Sequence, residues 1–199
     1  MLESAQSQVA NAPEITYVKW RTPGEELSST ALIVAHLTRE RICRPRRICV
    51  AVPNRTWAMR MREVLDDMDR NTVGLHTKHV KIAYYNAIED NYDWLFLMGC
   101  VDGFIPPAQA SGTTIQTNDE ARAAWGNAFN HATKRVIASS FAKADATFAK
   151  AAGIQSDRRK MEHGRVMAMC KPTPFLRDKG RFRPSTVGGQ ALLRSFNLN

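Results

Sequence analysis

The stretch Val80–Pro107, VKIAYYNAIEDNYDWLFLMGCVDGFIPP, decides the fold. Its runs Val80–Tyr85 and Trp94–Cys100 have strand length and are apolar nearly throughout. Such runs predict two buried β-strands. A polar loop joins them. Gly99, Gly103 and Pro106 mark a tight turn after the second.

Working outward, strands alternate with helices. Ile15–Trp20 alternates apolar and polar residues and predicts a first strand. Thr22, Pro23 and Glu25 then form an N-cap, a proline at the first helical position and a capping box. They open a helix over Gly24–Arg39, with Leu27, Ala31, Val34 and Leu37 on one face. Arg46–Pro53 is a further short strand-like run. Asn54 caps a second helix, Arg55–Met68, with Met61, Leu65 and Met68 inward. Past the central strands, Pro106–Thr117 is a Gly/Ser/Thr loop. Thr117 and Glu120 make a capping box for a helix over Asn118–Thr133, and Arg135–Ser140 is a last strand. Phe141–Gly153 predicts a short Ala-rich helix, and Ala191–Phe196 is a late apolar run. The alternation predicts an α/β fold, a mainly parallel sheet between helices. Residues 1–13 are expected to be a flexible N-terminus, 14–153 the domain, and 154–199 a basic C-terminal extension that wraps the domain or docks elsewhere.

With 199 residues the chain is long enough for one domain with a sizeable core. No apolar run reaches the roughly 20 residues of a membrane span, and the polar start shows no signal peptide. The cysteines, Cys43, Cys49, Cys100 and Cys170, lack the CxxC spacing of a zinc site, and three sit in or near apolar stretches. The expected compartment is the cytoplasm. A net charge of +9 and a pI near 9.7 favour a polyanionic partner. Seven arginines fall in Arg41–Arg62, and ten basic residues fall in Asp157–Asn199.

Four segments resemble the second motor domain of UvrD/Rep/PcrA-type superfamily 1 helicases. That family has a strand, a T-x-H-x-x-K-G-L-E-F-D loop, then a strand ending V-F-L-x-G-x-x-E-G-x-x-P. Here Gly99, Gly103 and Pro106 keep the end of that pattern. ICVAVPNRTWAMRMREVL is similar to the family's I-A-V-L-x-R-T-N-A-Q-S-R-x-x-E-x-x-L at Arg55, Thr56, Ala58, Glu63 and Leu65. EARAAWGNAFNHATKRVIAS is similar to E-E-R-R-L-F-Y-V-A-x-T-R-A-x-x-R-L-x-x-S at Glu120, Arg122, Ala128, Ala132, Arg135 and Ser139. CKPTPFL resembles the closing P-S-R-F-L, and Glu25-Glu26 resembles a pair that opens the family's first helix. The resemblance spans Ile15 to Leu176. It implies a three-layer RecA-like, P-loop-NTPase-like domain that binds DNA.

The motor chemistry is not matched. The sequence has no GxxxxGK[ST] to cradle a triphosphate, so no cofactor is expected and ATP binding is doubtful. His131 stands where the resemblance implies an arginine reaching the γ-phosphate, and a neutral imidazole is a poor substitute for a guanidinium. Asn86 stands in place of the loop histidine, and Glu89-Asp90-Asn91 replaces K-G-L-E with one residue fewer. Arg70–His79 leaves room only for a turn where the family carries a large inserted subdomain.

These features imply a module that binds nucleic acid or a partner protein and does not hydrolyse ATP alone. The alternative is the C-terminal half of a split or larger ATP-dependent DNA helicase, completed by a protein carrying the first motor domain. The nucleic-acid candidates are Arg55, Trp57, Arg60, Tyr84 and Asn86. Trp57 beside arginines can stack a base, or it can pack, since it shares a helical face with Met61 and Leu65. His131 is a degenerate nucleotide contact, a general acid, or a helix-end histidine satisfied by a carbonyl. Glu89, Asp90 and Asp93 form an acidic loop that is either a cation site or a solvated turn. No catalytic residue and no metal ligand is assigned.

Overall fold

The computed structural model describes residues 12–103, 116–154, 156, 158–173 and 185–198; of 116–121 and 185–186 it describes the backbone alone. The predicted N-terminal lead up to residue 11, Pro106 and its loop to residue 115, the side chains of the Thr117/Glu120 capping box and the end of CKPTPFL therefore lie outside the described residues.

The main sheet has six strands in the order β3-β2-β4-β5-β1-β9, every neighbouring pair parallel. They are β1 (Glu14–Trp20), β2 (Ile48–Val52), β3 (Lys81–Tyr84), β4 (Tyr92–Leu97), β5 (Ala132–Phe141) and β9 (Ser185–Gly188). The helices are α1 (Pro23–Arg39), α2 (Arg55–Asn71), α3 (Gln116–Ala128), α4 (Ala146–Ala151) and α5 (Gly189–Ser195). A small antiparallel sheet, ordered β6-β8-β7, adds β6 (Lys143–Asp145), β7 (Arg159–Glu162) and β8 (Arg165–Met169). No described helix is long and apolar enough to cross a membrane.

Chain direction assigns the helices to faces. β1 to β2 to β3 moves one way along the sheet, so right-handed crossovers put α1 and α2 on one face. β4 to β5 moves the other way and puts α3 opposite. α1 packs against α2 and also against α5, which joins that face. Central strands buried on both sides must be apolar on both sides. Accordingly every residue of β2 is buried, as are Leu95, Phe96 and Leu97 in β4 and Val136 to Phe141 in β5.

Helix starts follow the predicted capping chemistry. The Thr22 hydroxyl accepts from the Glu25 amide at 3.2 Å, and the Asn54 side chain accepts from the Trp57 amide at 3.1 Å. Two expectations need correction, and two features add to them. β3 is an edge strand, exposed or half-buried rather than buried, because only β2 pairs with it. β5 begins at Ala132, so Thr133 is strand and not helix. The hairpin β7–β8 was not expected. It turns through His163 and Gly164, both at positive φ (48° and 74°), without the usual Asn-Gly signal. The segment expected to wrap the domain or dock elsewhere packs on the sheet through an edge strand and a helix: β9 pairs with β1, and Phe196 lies 5.9 Å from Trp94.

Gly189 sits at the start of α5 where backbone meets core. A Cβ there would lie 2.0 Å from the buried Trp20 ring. Helix propensity alone would make Gly189→Ala stabilising. The clash reverses the sign, and the substitution is expected to cost about 1–3 kcal/mol, read from thermal melts. A rise in melting temperature would show that the Trp20 ring relocates freely.

Candidate nucleic-acid interface

A parallel sheet has two unlike edges. At its carboxyl edge the first turns of α1 and α2 meet the loop after β4 and the end of β5. The joint is Glu26, fully buried in the first turn of α1. Its Oε1 accepts from the Gly99 amide at 3.0 Å and from the Ser139 hydroxyl. Oε2 is buried with no hydrogen-bond partner. Burial outweighs the hydrogen bonds from Ser139 and Gly99 and pushes the carboxyl up to about 8. At neutral pH Glu26 is therefore mostly protonated. Gly99 takes φ 65° and Gly103 φ 91°, which explains glycine at both positions. The same loop is clamped from below: the Asp102 amide donates to the Lys171 carbonyl and the Thr173 amide donates to the Cys100 carbonyl, at 2.9 and 3.0 Å.

Around this joint the candidates separate. Val52 and Tyr84 are register partners at the ends of β2 and β3. Arg55, Tyr84 and Asn86 thus collect at one stretch of the carboxyl edge, all exposed, with Tyr84 at 41 %. Arg60 is exposed further along α2. Trp57 is the correction among them. It is 2 % exposed, and its ring stacks on Phe141 at 6.1 Å and 9°. Of its two possible roles the structure shows packing, because the apolar face with Met61 and Leu65 turns the ring inward. His131 lies at the opposite, amino edge, just before β5, with Nδ1 3.1 Å from the Asp90 carbonyl. That is the helix-end geometry of a satisfied histidine, away from Arg55 and Tyr84.

The acidic loop divides too. Asp93 receives Arg47 Nη2 at 2.6 Å, Lys134 Nζ at 2.8 Å and the Thr133 hydroxyl at 3.1 Å. Burial pushes this carboxyl up, but the hydrogen bonds from Lys134, Arg47 and Thr133 prevail and hold it below its ordinary value. It is a strut between β2, β4 and β5. Among the described residues no group of three or more His, Cys, Asp or Glu is arranged to hold a metal ion. All four cysteines are free and buried, and burial raises every thiol, Cys49 to about 12, which removes them as nucleophiles at neutral pH.

Two features were not anticipated from sequence. One is the buried state of Glu26. The other is an amino-edge pocket where Arg46 and Arg47 face Lys78, His79 and Lys81. No protein-family model matches this chain, and no curated protein matches it at a significant level.

Glu26 makes stability depend on pH. Its unfolded value is the ordinary 4.5 and its folded value is about 8. The folded chain holds a proton that the unfolded chain has released, so this contribution is complete below about 4.5 and is lost as pH rises through about 8. Glu26→Gln is expected to flatten the fall in melting temperature across that window. An unchanged slope would exclude Glu26 as its source. Trp57→Ala is expected to cost about 3–5 kcal/mol of stability while leaving oligonucleotide affinity per folded molecule unchanged; a loss of affinity with an unaltered melting temperature would return Trp57 to the interface.

Proposed function

We propose that the chain is a nucleic-acid-binding module on a RecA-like scaffold of the UvrD type, without ATPase activity of its own. The observation that carries this reading is the exposed group Arg55, Tyr84 and Asn86 at the carboxyl ends of β2 and β3. In open parallel sheets ligands bind outside those ends. A half-exposed tyrosine offers a face to a base, and the arginine beside it offers a charge to the backbone. The net charge of +9 supports a polyanion as the partner. The missing GxxxxGK[ST] argues against a triphosphate held by this chain alone.

The test is fluorescence anisotropy with a labelled single-stranded oligonucleotide. Neutralising about 4–6 phosphates gives a log–log salt slope of roughly −3 to −5. Tyr84→Ala is expected to weaken binding by about 1–3 kcal/mol with little change in melting temperature, because the ring stands on an edge strand. ATP turnover by the purified chain is expected to stay at background with or without the oligonucleotide. No binding at low salt, or strand-stimulated hydrolysis above a mock preparation, overturns the proposal.

A further inference from the structure

The amino-edge pocket lies apart from the carboxyl-edge group. It has a volume of about 530 Å³ and is lined by Arg46, Arg47, Lys78, His79, Val80, Lys81, Asp90, Asn91 and Tyr92. Two short 3-10 turns build it, Pro45–Arg47 before β2 and Thr77–His79 before β3, and they pack on each other.

The second turn is held from α2. The Thr77 amide donates to both Asp69 carboxylate oxygens at 2.9 Å, and the Lys78 amide donates to Oδ2 at 3.2 Å. Arg62 donates to the Val80 carbonyl at 2.9 Å. These bonds hold the backbone at Lys78 and His79 while their side chains stay exposed. Arg47 is neutralised by Asp93. Arg46, Lys78 and Lys81 have no ion pair among the described residues. Asp90 is the single carboxylate in the lining.

We infer that this pocket binds phosphate groups. Three unpaired cations around one concavity cost repulsion, which a bound polyanion relieves. The Tyr92 ring, 3 % exposed, offers no face to a base, and the exposed side chains of Arg46, Lys78 and Lys81 supply charge suited to phosphates. Its position across the sheet from Arg55 and Tyr84 makes it a separate site. The phosphates belong either to a nucleic-acid strand or to a small free anion.

Two arms distinguish these. In the first, ¹⁵N-labelled full-length protein is titrated with pyrophosphate. Saturable shifts are expected at the Lys78, His79 and Asn91 amides, absent in Arg46→Ala/Lys78→Ala/Lys81→Ala and retained in Arg55→Ala/Tyr84→Ala. In the second, the triple variant is expected to bind the oligonucleotide about tenfold more weakly, with a salt slope shallower by about 2, at about 0.7 for each phosphate no longer neutralised. Shifts with weakened strand affinity assign the pocket to a strand; shifts with unchanged strand affinity assign it to a small phosphate. Absence of saturable shifts together with unchanged strand affinity overturns the proposal. If the wild-type chain binds no strand, the function proposed above fails while the pocket stands or falls on pyrophosphate alone. Lys78→Ala, which alters one exposed side chain, repeats both arms should the triple variant melt at lower temperature.

Discussion

One buried carboxyl organises the carboxyl edge of the sheet. Glu26 links the first turn of α1, the positive-φ turn at Gly99 and the Ser139 hydroxyl of β5. An unpaired buried amide costs about 1–3 kcal/mol, so the Gly99 turn depends on this acceptor. Ionising Glu26 would put a charge where only two donors face it, both on Oε1. The protonated form is therefore the structural one. The loop that Glu26 anchors is in turn the shelf for Lys171 to Thr173, which extends the influence of one side chain to the C-terminal third of the chain.

The opposite edge is held by the reverse strategy. Asp93 stays ionised because Lys134, Arg47 and Thr133 converge on it, and 17 % of its side chain reaches solvent. Partly exposed pairs of this kind contribute little each; their value here is positional, since they set the starts of β2, β4 and β5 against one another. The sheet thus has a neutral buried acid at one edge and a charged, bridged acid at the other. Parallel strand order separates the two, and it also splits the arginine-rich segment. Arg46 and Arg47 precede β2, whereas Arg55 and Arg60 follow it, so residues close in sequence serve opposite edges.

Much of the architecture was legible because periodicity and caps act locally. Thr22, Asn54 and the unbroken apolar run of β2 announced their elements within a residue or two. What was not legible depends on neighbours far along the chain. The run at β3 is apolar like a central strand, and only pairing shows it at the edge. Glu26 lies on the helical face of Thr30, Ile33 and Leu37, all buried, so its inward position could have been inferred from spacing. Its neighbour Glu25, with which the sequence pattern groups it, stays near the surface and accepts from the Arg21 amide. For Trp57 the signal was present, in Met61 and Leu65, and competed with the charged neighbours in the first turn. The phosphate pocket had no sequence signature, because its cations come from two turns and the start of β3, which only the fold brings together.

The connection between β3 and β4 is held by the fold along much of its length. Tyr84 is level with Val52, and Trp94 is level with Ile48. The chain between must descend the length of β2, about 13 Å, and cross two strand spacings, about 10 Å. A straight path is roughly 16 Å by these spacings. The ten residue steps from Tyr84 to Trp94 would reach about 33 Å fully extended, so the path leaves room for a turn. The connection opens with a turn in which the Ala87 amide donates to the Tyr84 carbonyl at 2.9 Å, and it is pinned midway by buried Ile88. Its polar end is committed to neighbours: the Asn91 carbonyl accepts from Arg47 at 2.9 Å, and the Asp90 carbonyl faces His131. The connection thus reaches both edges: Asn86 stands beside Tyr84 at the carboxyl end, while Asp90 and Asn91 line the amino-edge pocket beside Lys78 and Arg46.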